Sequence, residues 1–377
     1  MAKSAFELTR DLVRFDTINP PGNEADAAAA VGKILEAAGF RVSYHSFASH
    51  RDSVIADLDG SDNEKPICFT GHLDTVPLGA AEWAKNPFAA ETSEGKLFGR
   101  GSSDMKSGIA AMVLAAIDVA RRPRRRGMKL VLTAAEETGC EGAAFLAKTG
   151  VLGEAGAMVV GEPSSNRPFI GHRGALWLKL THHGKTAHGS MPELGDNAVI
   201  KAAHTVQALD DFGFNIPPHR HLGKPTLNIG YMTGGANVNS VPDRAEVGLD
   251  IRTIPEQSHD HICSMVSTRA NPGAALERTL DLQSVFSDPS GGWVRSVFST
   301  VERLTGRKPA EETAPYFTDA AVLGPAYNNP PFVILGPGEK EMAHQTDEYC
   351  VIERIDEAVE IYRALASDWC EGRTDRN

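Results

Sequence analysis

Potential metal ligands follow four short apolar segments of the sequence. The segments and the residues after them are 66–70 with His72 and Asp74, 129–135 with Glu136 and Glu137, 157–160 with Glu162, and 332–335 with His344. Histidine and carboxylate side chains without thiolates form a ligand set that suits zinc or a related divalent ion. One such segment carries little information, whereas four of them predict a shared metal site.

A further acidic residue, Asp104, lies in the glycine-rich segment 99–108, just before a predicted helix. Considered alone, Asp104 could be a helix N-cap instead of a metal ligand, because aspartate is common at that position. The glycines of this segment also resemble those of a dinucleotide-binding loop. That fingerprint needs a third glycine and a strand directly before it. Both are absent here, so we reject a dinucleotide-binding site, and a nucleotide-dependent oxidoreductase is disfavoured.

The elements that must position these residues alternate between helices and strands over the first 165 residues. Helices are predicted at 6–15, 23–38, 105–120 and 142–148, and strands at 41–47, 53–58, 66–70, 129–133 and 157–160. This alternation predicts an α/β fold with helices on both faces of a central, mostly parallel sheet. Ligands of such sheets bind beyond the carboxyl ends of the strands, which is where the histidines and carboxylates lie.

The pattern changes after Gly171. Strands at 175–181, 226–231, 245–252 and 275–285 are accompanied by helices at 197–209 and 257–266. The earlier alternation resumes after about residue 286, with a helix at 294–304, a strand at 331–335 and a helix at 352–366. We therefore predict one α/β domain formed by 1–171 and 286–377, interrupted by an α+β insert at 172–285.

The composition limits the classes of function. The chain has 377 residues, with 38 Lys or Arg and 49 Asp or Glu, so its formal net charge is −11. The hydrophobic content of 41 % is sufficient for a core, which excludes general disorder. The acidic balance argues against nucleic acid or an anionic membrane as partner, because both need a positive surface.

The cysteines and the apolar segments favour a cytoplasmic protein. The five cysteines are scattered and form neither a metal-binding pair nor a disulfide framework, as is typical of a reducing compartment. The first ten residues lack the apolar region of a signal peptide. The longest apolar stretch, 109–120, has 12 residues, whereas a membrane-spanning helix needs about 20.

Four segments resemble motifs of the dinuclear zinc metallopeptidase and amidohydrolase family of acetylornithine deacetylase, succinyl-diaminopimelate desuccinylase and carboxypeptidase G. In chain order they are Gly71-His-Leu-Asp-Thr-Val-Pro77, Gly99-Arg-Gly-Ser-Ser-Asp-Met-Lys-Ser-Gly108, Ala134-Ala-Glu-Glu-Thr-Gly139 and Gly161-Glu-Pro163. The resemblance extends over essentially the whole chain. It implies a catalytic metal-binding domain at 1–171 and 286–377, a lid and dimerisation domain at 172–285, and a homodimer formed through the lid.

The resemblance also implies a ligand set for two divalent ions. His72 and Glu162 would bind one ion, Glu137 and His344 would bind the other, and Asp104 would bridge them. Three carboxylates and two neutral histidines leave one positive charge on two divalent ions, which favours a bridging hydroxide. The set suits zinc, with cobalt or manganese as alternatives.

Two more residues belong to this centre by the same resemblance. Asp74 would hold the His72 ring and fix its tautomer, and Glu136 would be the general base. If the segment of Glu136 and Glu137 is extended, their side chains point to opposite sides. One carboxylate would then bind metal while the other remains free to take a proton.

The insert carries three motifs that resemble the family's lid. By this resemblance His188 would stabilise the oxyanion in the partner's active site, and Asn239 would contact the substrate. Arg252 would bind a carboxylate, for which its planar guanidinium is suited. The alternatives are a loop histidine for His188 and a surface ion pair for Arg252, and Asn237 competes with Asn239 for the motif position.

We therefore expect an enzyme that hydrolyses the amide bond of a small N-acyl amino acid with two metal ions as cofactors. An exopeptidase similar to carboxypeptidase G, or a dipeptidase acting on short peptides, is the alternative within the family. A non-catalytic metal-binding homologue is a third interpretation. It is disfavoured because Glu136 and all five ligands are present.

Overall fold

The computed structural model describes residues 3–373, and these residues divide into two compact units. The first unit comprises the described residues up to Gly171, the segment Phe286–Ala314 and the described residues from Thr318 onwards. The second unit comprises His172–Val285 and Pro315–Phe317. The chain thus leaves the first unit once for a long segment and then returns to it.

The described residues contain nine α-helices and sixteen strands. The helices are α1 (Ala5–Val13), α2 (Ala25–Ala37), α3 (Ser107–Ala120), α4 (Glu141–Thr149), α5 (Ala198–Leu209), α6 (His259–Arg269), α7 (Gly292–Thr305), α8 (Ala320–Ala326) and α9 (Ile352–Cys370). The strands are β1 (Arg41–Ala48), β2 (Arg51–Leu58), β3 (Ile67–His72), β4 (Thr92–Ser93), β5 (Lys96–Phe98), β6 (Met128–Thr133), β7 (Ala157–Val160), β8 (Phe169–His172), β9 (Gly174–His183), β10 (Thr226–Gly234), β11 (Arg244–Thr253), β12 (Ala275–Leu282), β13 (Val285–Phe286), β14 (Glu312–Ala314), β15 (Phe332–Ile334) and β16 (Tyr349–Val351). None of these helices combines the length and the apolar character needed to cross a bilayer.

The first unit is built around a large mixed sheet with the order β1-β2-β6-β3-β7-β15-β8-β13, in which β14 pairs with β8. Strand β3 is parallel to β6 and β7, and β7 is parallel to β15. Strand β2 is antiparallel to both β1 and β6. Every residue of β3, β6 and β7 is buried, which explains their nearly continuous apolar sequences. The predicted α/β fold is confirmed. The sheet is mixed rather than mostly parallel, however, because the parallel pairing is confined to the central strands β6, β3, β7 and β15.

Two glycines allow the segments around the sheet ends to approach closely. A Cβ atom on Gly108, in the first turn of α3, would lie 2.2 Å from the main-chain oxygen of Gly161. A Cβ atom on Gly336, after β15, would lie 2.1 Å from the same oxygen. Because only glycine fits at these positions, the start of α3 and the loop after β15 can both pack against the end of β7.

The second unit contains an antiparallel four-stranded sheet in the order β10-β11-β9-β12. Alternate residues of β9 are buried, as expected for a strand with one covered face. The buried leucines of β9 and apolar residues of β11 pack with those of α5 and α6 in one core. This is the α+β arrangement that the sequence predicts for the insert.

Candidate metal centre

The predicted ligands lie at the carboxyl ends of the central strands and in the loops next to them. His72 is the last residue of β3, Glu137 follows β6 and Glu162 follows β7. Asp104 lies in an irregular, non-helical turn directly before α3. His344 lies in the loop between β15 and β16. The parallel pairing therefore brings side chains from five separate segments to one edge of the sheet.

These five residues form two groups that share Asp104. In the first group, Nε2 of His72 lies 3.1 Å from Oδ1 of Asp104 and 3.7 Å from Oε1 of Glu162. In the second group, Nε2 of His344 lies 3.1 Å from Oε2 of Glu137 and 3.5 Å from Oδ2 of Asp104. The ligand atoms of each group lie within 4.8 Å of one another. Asp104 thus offers one oxygen to each group, as a bridging carboxylate does.

The charges of the two groups fit divalent cations. Among residues 3–373, no lysine or arginine lies within salt-bridge distance of the three carboxylates, whose charged partners are histidines. In the same residues, Oε1 of Glu137 is buried without a hydrogen-bond partner. Burial raises the pKa of Glu162 to about 8, against the effect of His72 and with the help of Asp104. Because uncompensated buried charge is costly, the metal-free chain favours protonation of this carboxyl, and two divalent ions would instead compensate the deprotonated carboxylates.

Asp74 is fully buried and contacts both His72 and the turn after β6. Nδ1 of His72 lies 3.0 Å from the main-chain oxygen of Asp74 and 3.4 Å from its carboxylate. The carboxylate accepts hydrogen bonds from the main-chain N–H groups of Glu136 and Glu137 at 3.0 and 3.2 Å. A further bond comes from the side chain of Asn19 at 2.9 Å. Sequence reasoning anticipated the contact with His72 but missed Asn19 and the bonds to the turn.

Glu136 belongs to neither ligand group of the described residues. Its side chain is buried, and burial is the main cause that raises its pKa well above the ordinary value. The main-chain N–H groups of Gly139 and Cys140 donate to the main-chain oxygen of Glu136 at 2.8 and 2.9 Å, which closes a tight turn. Only Glu137 joins a ligand group, and the separation comes from this turn rather than from an extended segment.

Two loops of the second unit carry His188 and Asn239. Nδ1 of His188 lies 2.8 Å from the hydroxyl of Ser190. The main-chain N–H of Gly189 donates to the main-chain oxygen of Asn239 at 2.7 Å, so the two loops are neighbours. Among the described residues, a cleft of about 610 Å³ in this unit is lined by Asn237 and not by Asn239. The structure thus leaves both asparagines as candidates.

Arg252 on β11 is bound to a neighbouring acidic residue of its own strand. Its Nε and Nη2 lie 3.0 and 3.1 Å from the two carboxylate oxygens of Asp250. The indole N–H of Trp177 donates to the same carboxylate at 3.1 Å. Arg252 therefore forms an ion pair within the second unit, as in the alternative given for it above.

Comparisons with known proteins agree with this architecture. The model of peptidase family M20/M25/M40 matches residues 68–368. The chain is 28 % identical to a probable succinyl-diaminopimelate desuccinylase of Staphylococcus aureus, with 94 % of this chain and 96 % of that protein covered. It is 28 % identical to an acetylornithine deacetylase of Proteus mirabilis, with 97 % of this chain and 96 % of that protein covered.

A solved structure shows the same fold. The M20 family metallo-carboxypeptidase Sso-CP2 from Sulfolobus solfataricus superposes with a TM-score of 0.81 at 17 % identity, over 97 % of this chain and 99 % of that chain. The family model matches most of the chain, including every predicted metal ligand. The chain therefore belongs to peptidase family M20/M25/M40, a family of hydrolases.

Proposed function

We propose that this enzyme hydrolyses the amide bond of N-acyl amino acids at a centre of two divalent metal ions. The observation that carries the proposal is that Asp104 offers one oxygen to each of two ligand groups, while Glu136 lies outside both. The two relatives are named as a desuccinylase of succinyl-diaminopimelate and a deacetylase of acetylornithine. Both names describe the removal of an acyl group, which supports this class of substrate.

His72 and Glu162 would hold one ion, Glu137 and His344 the other, and Asp104 both. When bound, such ions polarise the substrate carbonyl and stabilise the negative charge that develops on its oxygen. Nitrogen and oxygen ligands without thiolate favour zinc and also accept cobalt or manganese. We expect zinc to be the principal ion.

Glu136 would act as the general base. Its carboxylate takes a proton from the attacking water and returns it to the leaving nitrogen, so that the products are a free amine and a carboxylic acid, which then releases its own proton to solvent. Its raised pKa supports this role, because a carboxyl that exchanges protons near neutral pH needs such a shift. Asp74 would hold the turn of Glu136 and the ring of His72 in a fixed relation through its bonds to both.

We propose different roles for the two units. We assign the catalytic domain to 1–171 and 286–377 and the lid and dimerisation domain to 172–285. In the lid, His188 would stabilise the oxyanion and Asn239 would contact the substrate. The bonds of Arg252 to Asp250 use Nε and Nη2, and we assign Nη1 to a substrate carboxylate.

We also propose a homodimer formed through the second unit and a cytoplasmic location. All five cysteines are buried and unpaired, as is typical of proteins from a reducing compartment. Light scattering on the purified protein tests the dimer: we expect a mass near twice that of the 40.4 kDa chain, and the mass of a single chain would contradict it. Fractionation of the producing cells tests the location.

A hydrolysis screen tests the proposed activity. The substrates are N-acetyl, N-succinyl and N-formyl amino acids together with dipeptides, each with zinc, cobalt or manganese, and release of the free amine is measured. We expect turnover of at least one acyl class that a chelator abolishes and added metal restores. Turnover restricted to peptides would replace deacylation by the peptidase alternative, and no metal-dependent turnover of any substrate would contradict the proposal.

A further inference from the structure

The buried carboxylate of Glu348 accepts four hydrogen bonds from the segment that carries Asp104. Its Oε1 accepts from the main-chain N–H groups of Ser103 and Asp104 at 2.8 and 3.0 Å. Its Oε2 accepts from the main-chain N–H of Gly101 at 2.9 Å and from Nη1 of Arg100 at 2.8 Å. Glu348 is 0 % exposed and Arg100 is 1 % exposed. Both oxygens are therefore saturated by donors in a site without access to water.

The turn needs these acceptors because its main chain is not helical. Asp104 and Met105 have φ/ψ angles of −117/92° and −135/33° just before α3. The first N–H groups of a helix have no partner within the helix itself, and a carboxylate is a strong acceptor for such groups. Glu348 thus supplies from outside the hydrogen bonds that the irregular turn cannot make internally.

Glu348 lies in the loop that also carries the proposed ligand His344, four residues earlier in the chain. The hydroxyl of Ser103 donates to the main-chain oxygen of Tyr349 at 2.7 Å and accepts from the main-chain N–H of Glu339 at 2.9 Å. The turn of Asp104 is therefore bonded to the His344 segment on both sides of the histidine. These contacts connect two ligands of one group through main-chain and buried side-chain bonds.

We infer that Glu348 is a positioning residue of the metal centre, which sets Asp104, the ligand shared by both groups, relative to His344. The inference rests on the proposed function. A glutamine has nearly the same shape, but its NH2 group would replace one of the two carboxylate oxygens. It would then face either the N–H groups of Ser103 and Asp104 or the second donor pair, the N–H of Gly101 and Nη1 of Arg100. Donors cannot pair with donors, so the turn must shift and move the Asp104 oxygens with it.

The experiment titrates the metal-free Glu348→Gln variant with Zn²⁺ and Co²⁺ against a chromophoric chelator and records the visible spectrum of the Co²⁺ form. Because Asp104 belongs to both groups, we expect both ions to bind about 10–100-fold more weakly, with an altered Co²⁺ spectrum. Circular dichroism verifies that the variant is folded.

Asp281→Asn in the second unit is the matched control. It removes the charge of another carboxylate that is bonded to an arginine, Arg278 at 2.7 Å, and to His259 at 2.5 Å. Asp281 belongs to neither ligand group of the described residues. Its replacement should leave both metal affinities and the Co²⁺ spectrum unchanged.

A folded Glu348→Gln variant with unchanged affinities and spectrum would overturn the inference, and so would an equal loss in the Asp281→Asn control. If Glu348→Gln does not fold, Glu348→Asp decides. Its shorter carboxylate keeps the charge beside Arg100 but cannot reach both donor pairs, so weaker binding supports the inference and unchanged binding contradicts it. Failure of the wild-type chain to bind two ions would contradict the proposed function instead, which keeps the two failures distinguishable.

Discussion

The carboxylate of Asp74 accepts a hydrogen bond from the main-chain N–H of Glu136 at 3.0 Å. The main-chain oxygen of Asp74 lies 3.0 Å from Nδ1 of His72. One buried residue therefore connects the proposed general base to a proposed metal ligand. The main chain of the proposed base is thus fixed relative to a proposed ligand by hydrogen bonds within the folded chain.

Replacement of Glu136 by glutamine should remove catalysis and leave metal binding intact. We expect kcat to fall about 10²–10⁴-fold, because the amide cannot take a proton from water. Metal content should not change, because Glu136 belongs to neither ligand group. Steady-state kinetics and metal analysis of the same preparation measure both. The control is Glu141→Gln, at the exposed start of α4, which should keep its kcat. A near-normal kcat in Glu136→Gln would exclude Glu136 as the base.

Replacement of His344 and of Asp104 should have different effects on metal content. His344→Ala should weaken one ion and spare the other, because the histidine belongs to a single group. Asp104→Ala should weaken both ions, because its two oxygens face different groups. Metal analysis after dialysis measures the difference, with His204→Ala in α5 as the control. Equal losses in the His344 and Asp104 variants would show that the ligands are not divided in this way.

The metal-free protein should lose stability as the pH rises from about 6 to about 9. The hydrogen bond with Glu137 raises the pKa of His344 from 6.5 to about 9, so its contribution to stability is complete below pH 6.5 and is lost as the pH rises through about 9. Burial raises the pKa of Glu162 from 4.5 to about 8. Between about pH 4.5 and pH 8 the folded chain then holds a proton that the unfolded chain has released, so stability falls there too, which includes the lower part of the range from about pH 6 to 9.

Urea unfolding in the presence of a chelator measures this dependence. Saturating zinc should counteract the fall, because the ligands bind metal in their deprotonated forms and a ligand of the folded state stabilises it. A metal-free protein whose free energy of unfolding stays constant or rises over this pH range would contradict the arrangement of these groups.

Arg252→Ala should impair substrates with a free carboxylate far more than their methyl esters. Through Nη1 the guanidinium would contribute a charge-assisted hydrogen bond to the carboxylate, which the uncharged ester would weaken. The ratio of kcat/KM for acid and ester is the measurement. Arg244→Ala, on the same strand and paired with Glu246, is the control. Equal impairment of acid and ester would assign Arg252 a structural role through Asp250.

The large elements of the fold are predictable because their periodicity is strong. Strands β3, β6 and β7 are short apolar runs that are buried throughout, and the helical patterns of α2 and α9 extend over several turns. The small sheet of β16, β5 and β4 is different. Its strands have two or three residues, which is too few to show a period.

A site residue is predictable from the sequence only where a histidine or carboxylate stands at or just after the end of an apolar strand. His72 and Glu162 stand out because they end or follow apolar strands. Glu348 acts on Asp104 from a distance of 244 residues along the chain, and a glutamate in a polar segment is usually exposed. Its burial therefore could not be inferred. The contact of Arg252 with Asp250 is local, since alternate residues of a strand share one face.

The number of ions bound per chain decides whether the proposed centre is dinuclear. Metal-free protein is titrated with Zn²⁺, and bound metal is quantified by mass spectrometry after dialysis. Two ligand groups that share Asp104 predict saturation near two ions, the number that two-metal hydrolytic sites bind. Saturation at one ion, with the second never above trace occupancy in metal-replete buffer, would contradict the shared role of Asp104 and the dinuclear centre with it.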